Sequence, residues 1–309
     1  MDIFCFPHDN TSMFVLIKGA GDIASGIALR LKHAGFDVAM TERAQPLAVR
    51  RTVSFSQAVY DGKAQVEDVS AVLVDADPQN LIQRINEVFA HNQIAAFVDP
   101  DADILKYLPE AGNAPAAVID AIMAKRNTGT GINDAPVVIG IGPGFTAGCD
   151  CHAVIETMRG HTLGRVITEG SAIPNTGIPG EIGGFSSERL LRCASDGIFT
   201  SLAEIGSYVK KGDTVALVNC TPNDDTPDSV ASVDNNAVPG IPVYAGIDGI
   251  VRGLLPSGIH VTQGMKAGDI DPRCGRMHCF TVSDKALAVG GGALEAILRF
   301  GALIPSFRG

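Results

Sequence analysis

The first half of the chain alternates short unbroken apolar runs with stretches in which apolar residues recur every three or four positions. Met13 to Lys18 reads as a buried strand; Ile23, Ile27, Leu31 and Ala34 then fall at helical spacing, and Gly35 ends that helix. Asp37 to Thr41, Ala71 to Val74 and Ile94 to Val98 predict further strands, with a helix from about Pro78 to His91 between the last two. Ala116 to Lys125 predicts another helix and Asn127 to Asp134 a loop. Val137 to Ile141 predicts a strand, followed by a helix to about Arg159 and a strand near Val166. Such alternation predicts a doubly wound parallel sheet covered on both faces.

From about Ala172 the pattern changes to short strands punctuated by Gly and Pro. Asp196-Gly197-Ile198 through Leu202, Gly206, Val209 and Gly212 matches Asp248-Gly249-Ile250 through Leu254, Gly258, Val261 and Gly264 without a gap. Each copy resembles the half-motif of biotinyl/lipoyl-like barrel-sandwich domains. Neither has the lysine that carries the prosthetic group there, so the module reads as scaffold. The expected organisation is a tail over residues 1–12, a Rossmann-like α/β domain over 13–171 and a smaller β-rich barrel-sandwich domain over 172–282. A polar loop, Thr221 to Asn236, lies inside the last of these. A C-terminal segment, 283–309, is expected to form a helix that packs back on the first domain, with Gly290-Gly291-Gly292 weakening its first half.

With 309 residues, of which 46% are hydrophobic, the chain can bury a full core. The net charge of −10 leaves no basic excess for nucleic acid. No apolar run reaches the roughly 18 residues of a membrane span, and the amino end lacks the pattern of a signal peptide. A cytoplasmic protein without nucleic-acid or membrane partners is expected. Seven cysteines, an odd and scattered set, read as free thiols.

Two glycine turns carry the candidate chemistry. Gly19, Gly21 and Ala24 lie between a strand and a helix, and Glu42 ends the next strand, as a dinucleotide fingerprint requires. Asp22 departs from it, since a carboxylate in the first helical turn satisfies the helix dipole itself and repels a pyrophosphate. Arg50 and Arg51 are candidate partners for an anionic ligand, or a solvated pair. The second turn, at Gly142 and Gly144, leads to Cys149, Cys151, His152 and Glu156. A helix there places His152 and Glu156 together, and Cys151 is either core or a thiol activated at the helix amino end. Cys274, His278 and Cys279 form another thiol and imidazole cluster of no standard zinc spacing, and no metal site is assigned.

The stretches at 19–26, 46–53, 142–148, 150–157, 174–177 and 268–273 together resemble the bacterial accessory family of the selenium-dependent molybdenum hydroxylase system. The resemblance implies a maturation factor with a molybdenum hydroxylase as partner. It would bind a nucleotide-like small molecule, NAD(P) or a molybdopterin nucleotide, and handle sulfur or selenium through Cys151, helped by His152. An NAD(P)-dependent oxidoreductase and a non-catalytic adaptor are the alternatives. Whether a reaction is catalysed and whether the chain forms a homo-oligomer stay open.

Overall fold

The computed structural model describes residues 14–75, 77, 79–108, 113–177, 180–219 and 240–304. The expected tail, the polar loop Thr221 to Asn236, Cys5, Cys220 and Pro78 lie outside them. The chain divides into two compact units. Met1–Pro46, Thr52–Thr176 and Thr281–Gly309 form the first; Leu47–Arg51 and Gly177–Phe280 form the second.

The first unit contains, in chain order, β1 (Phe14–Lys18), α1 (Asp22–His33), β2 (Asp37–Glu42), α2 (Ala58–Asp61), β3 (Lys63–Val66), β4 (Val69–Leu73), α3 (Leu81–Ala90), β5 (Ile94–Val98), α4 (Ile104–Tyr107), β6 (Ala117–Asp120), β7 (Val137–Ile141), β8 (Ala153–Ile155) and β9 (Val166–Ile167). Together they build one nine-stranded sheet of order β3-β4-β5-β2-β1-β6-β7-β8-β9. Its inner pairs are parallel, and its edge pairs β3–β4 and β8–β9 are antiparallel. β1 shows why the strands read as unbroken apolar runs: Val15 and Ile17 join the core on one face, Phe14 and Leu16 that on the other.

The doubly wound Rossmann-like expectation is corrected here. The stretch Ala116 to Lys125, read as a helix, contains β6. The helix expected up to Arg159 is replaced by β8. Val118-Ile119 and Val154-Ile155 are β-branched runs buried on both faces, a pattern that a short buried helix also produces. No helix therefore lies between β6 and β7 or between β7 and β8. A C-terminal helix packs against β7, β8 and β9 instead. The result is a mixed α/β sheet, mostly parallel, with antiparallel edges.

The second unit carries β10 (Leu190–Arg192), β11 (Gly197–Ser201), β12 (Tyr208–Val209), β13 (Thr214–Asn219), β14 (Ile241–Tyr244), β15 (Gly249–Leu254), β16 (His260–Val261) and β17 (Lys266–Asp271). They form two four-stranded antiparallel sheets, β10-β17-β15-β12 and β14-β13-β11-β16. The two repeat copies exchange strands symmetrically: Gly197 opposes Val261, and Gly249 opposes Val209. Asp196 accepts from the Gln263 amide at 2.6 Å as Asp248 accepts from that of Lys211 at 2.7 Å. The layout is not the expected biotinyl/lipoyl-like barrel sandwich built from two repeat halves, because half of its strands, β10, β13, β14 and β17, come from outside the repeat.

The chain returns to the first unit with α5 (Asp284–Arg299), where the Ser283 hydroxyl accepts from the Ala286 amide. Its glycines are a packing device. Gly26 of α1 faces Ala286, and Gly290 faces Gly26 and Ile27, so the two helices pack too closely for a Cβ at either glycine. Among the described residues no helix is long and apolar enough to cross a membrane.

Candidate functional site

Parallel pairing in the first unit aligns the carboxyl ends of β1, β6, β7 and β8 along one edge of the sheet. The chain leaves β1 toward β2 on one side and later returns to β6 on the other, so the strand order reverses at β1. The backbone is left-handed at Gly19, Met123, Lys125, Gly142 and Gly144, all just past those strand ends, with φ of 94°, 63°, 62°, 77° and 114°. Met123 and Lys125 are unusual there, since side chains disfavour this region.

The Gly19 turn is held by its own protein. A Cβ on Gly19 would lie 3.0 Å from Ala121 O and Ile122 Cα, whereas Gly21 has open space beside it. Glu42 Oε2 accepts from the Ala20 amide at 3.1 Å and Oε1 from the Arg43 amide at 2.9 Å. Burial pushes the Glu42 carboxyl above its usual range, against the pull of these bonds. Asp22 Oδ1 accepts from the Ile23 amide at 3.0 Å, placing a carboxylate at the amino end of α1. Ala24 is fully buried and meets no solvent. Behind the turn, Lys18 Nζ donates to Thr130 Oγ1 at 2.7 Å, which donates to Asp120 Oδ2 at 2.6 Å. All three side chains are buried. Sequence reasoning missed Asp120 and Thr130, although a carboxylate closing the run Val118-Ile119 was a visible signal.

The second turn is closed as well. Gly142 packs under Thr157, and Gly144 lies against the backbone of Arg126. With no helix after it, Cys151 does not sit at a helix terminus. It is fully buried among apolar residues, and burial pushes its thiol up to about 11. His152 Nδ1 accepts from the Val138 amide at 3.0 Å, a role only the deprotonated nitrogen fills, and burial lowers its pKa. Glu156 is buried, with Oε1 accepting from the Met158 amide at 2.7 Å and Oε2 from that of Ile173 at 2.8 Å. Cys151, His152 and Glu156 are thus engaged separately. Cys149 is exposed.

The side chain that sequence reasoning passed over is Lys285, in the first turn of α5. It is half-buried, and burial and the Arg159 guanidinium lower its pKa, with Asp22 and Glu156 opposing and Lys125 reinforcing the shift. Next to it Asp284 holds Arg159 through two bonds of 2.9 and 3.2 Å. The packing of α5 on α1 and on β7, β8 and β9 brings Lys285 to this edge.

Arg50 and Arg51 belong to the second unit. Arg50 Nη2 donates to His278 O at 3.0 Å, and Arg51 Nε to Leu254 O at 2.8 Å. Cys274 is exposed, and Cys279 is buried with its thiol pKa raised by burial. Among the described residues no group of three or more His, Cys, Asp or Glu side chains could hold a metal ion.

Fold and site define a two-unit α/β protein with a polar edge at the strand-order reversal of its main sheet. No family model matches the chain. The uncharacterized protein YqeB of Escherichia coli (strain K12) is 45% identical over 293 residues, which cover 94% of this chain and 48% of that protein. The chain thus spans about half the length of that curated relative. Solved structures that it resembles include an aspartoacylase family protein from Mesorhizobium loti, at 12% identity over 83% of this chain and 84% of that one, with a TM-score of 0.26. Another is the ectoine utilization protein EutE from Ruegeria pomeroyi, at 13% identity over 79% and 61%, with a TM-score of 0.22. A third is a succinylglutamate desuccinylase/aspartoacylase from Rhodobacter sphaeroides, at 11% identity over 76% and 57%, with a TM-score of 0.21. At these scores the likeness assigns no activity to the chain. None of these proteins carries the name of a molybdenum hydroxylase accessory factor, and that family expectation is corrected. The expectations of a maturation factor for a selenium-dependent hydroxylase and of an NAD(P)-dependent oxidoreductase are corrected with it.

Proposed function

We propose that the first unit binds a small polyhydroxylated anion, of the kind a nucleoside phosphate represents, at the carboxyl ends of β1, β6 and β7. The observation that carries this reading is the gathering of left-handed backbone at the strand-order reversal, the position where open α/β sheets take ligands. Glu42, at the end of β2, is the acceptor for ligand hydroxyls, and Gly21 leaves room for the ligand to approach. Asp22 makes the amino end of α1 a poor phosphate cradle, so the anionic group lies against Lys285 and Lys125 instead. The reading keeps Gly19, Gly21, Asp22, Ala24 and Glu42 as the turn that shapes the site, with Gly142 and Gly144 as its far wall. His152 and Glu156 hold backbone amides beneath it, and Cys151 packs in the apolar core. A reducing, cytosolic compartment fits the five described cysteines, all free.

Calorimetric titration of the chain with AMP, ADP-ribose and ribose 5-phosphate tests this. Saturable binding by at least one is expected, weakened about tenfold or more by Glu42→Ala and by Lys285→Met, the equivalent of about 1.4 kcal/mol each. Binding by none, or binding that both variants leave unchanged, would overturn the reading.

A further inference from the structure

The motif Gly268-Asp269-Ile270-Asp271-Pro272-Arg273 belongs to the second unit, in and just after β17, and nothing in the reading above uses it. There Asp269 and Asp271 meet Arg189, Arg252 and Arg273, and all but Arg273 are buried. The carboxylates are claimed unequally. Arg273 grips Asp271 through two bonds of 2.9 and 2.7 Å, and Arg189 Nη1 holds Asp269 Oδ2 at 3.2 Å. Arg252 is left with two ion pairs of 3.9 Å, to Asp269 and Asp271, too long for hydrogen bonds.

Its position explains how it comes to be there. The pairing of β15 with β17 shifts register between Val251 and Gly253, so Arg252 is the bulged residue, turned out of the ladder. Its side chain is 9% exposed, and Nε has no hydrogen-bond partner among the described residues. Arg189 Nε and Asp269 Oδ1 are buried beside it and likewise have no hydrogen-bond partner among the described residues. Buried guanidiniums are normally bonded, and one without hydrogen bonds marks an absent acceptor. Gly253 lacks the Cβ that would press on Asp269 Oδ1. Arg273 and His278, with side chains 47% and 50% exposed, connect the cluster to the surface.

We propose that this cluster is a binding site for a protonated tetrahedral oxyanion, inorganic phosphate in its monohydrogen form. Arg252 and Arg189 donate to its oxygens, and Asp269 Oδ1 accepts its proton. The carboxylate sets the selectivity: a phosphate monoester dianion or sulfate carries no proton to offer Asp269 and meets its charge instead.

Equilibrium dialysis of the full chain against radiolabelled inorganic phosphate at pH 7.5 and fixed ionic strength is the first test. One phosphate per chain with a Kd below about 1 mM is expected, with glycerol phosphate and sulfate competing at least about tenfold more weakly. Saturable binding should disappear in Arg252→Met and weaken about tenfold in Arg252→Lys, which keeps the charge but loses the fork. Asp269→Asn, which can donate as well as accept, should bring sulfate to within about threefold of phosphate. No saturable binding by the wild-type chain would overturn the proposal, because a water-filled polar pocket then accounts for the cluster. Equal competition by sulfate would overturn it as well, and so would binding that survives in a folded Arg252→Met. Should Arg252→Met fail to fold, Arg252→Lys and the wild-type competition decide alone.

Discussion

In the first unit, Lys18, Thr130 and Asp120 lie under the Gly19 turn with their charges joined through a hydroxyl at 2.7 and 2.6 Å. In the second, Arg252 is also buried and, among the described residues, makes no bond of that quality. Both clusters sit beside a break in regular pairing, one at strand ends and the other at a bulge. They differ in what closes them. The chain itself completes the first, so those charges belong to the architecture of the sheet edge. The second stays incomplete until something outside the chain arrives. A buried ionisable group points to a ligand by its unmet bonds rather than by being buried.

Removing one partner from each cluster gives the largest expected contrast. Asp120→Ala strands Lys18 and Thr130 in the core and should lower the unfolding free energy by about 3–5 kcal/mol in urea. Arg252→Met removes a guanidinium whose two ion pairs, at 3.9 Å, are too long for hydrogen bonds, and without phosphate should be neutral or stabilising by about 1 kcal/mol. Equal losses for the two variants would erase the distinction. A smaller effect is expected at Glu156, whose two oxygens hold the Met158 and Ile173 amides. Glu156→Gln leaves one amide facing an NH2 group and should cost about 1–3 kcal/mol, read from the same urea curves.

What the sequence revealed divides along the same line. The β1-α1-β2 unit and the capped α5 were legible because their apolar periods are unambiguous. β6 and β8 were not, since a run such as Ala117-Val118-Ile119 buried on two faces has no period to distinguish strand from helix. That error moved the site. A helix after Gly148 would have set Cys151 at a positive end and paired His152 with Glu156; a strand sends the three to separate partners. Lys285 and Arg252 were missed for another reason. Each acquires its meaning from a contact distant in sequence, α5 against α1 and β15 against β17, and local spacing carries no trace of either.

Cys151 gives a finer test of that correction. With its thiol raised from 9.0 to about 11 by burial, the native protein keeps its proton where the unfolded chain has lost it. The stability linked to that proton is full below pH 9.0 and is lost as pH rises through about 11. Alkylation with mass-spectrometric site assignment at pH 8 should find Cys149 and Cys274, both exposed, reacting first and Cys151 among the slowest. Rapid labelling of Cys151 in the native state would restore the activated-thiol reading.

The smallest expected effect is at Lys285, and its sign opposes that of Cys151. Its pKa is lowered from 10.5, chiefly by burial. Below the folded value both states carry the proton, and the native state bears the full penalty of a half-buried ammonium. Above that value the native lysine is neutral while the unfolded chain stays protonated up to 10.5, so stability contributed through this group rises with pH across the window. Lys285→Met removes both the penalty and the dependence. Urea unfolding of the two proteins from pH 7 to pH 10 should show the variant more stable at the acid end and the difference narrowing toward the alkaline end. A difference that stays constant with pH would mean that Lys285 is fully protonated throughout. The amine at the sheet edge would then be an ordinary surface cation, and the proposed ligand site would rest on Glu42 and the left-handed turns alone.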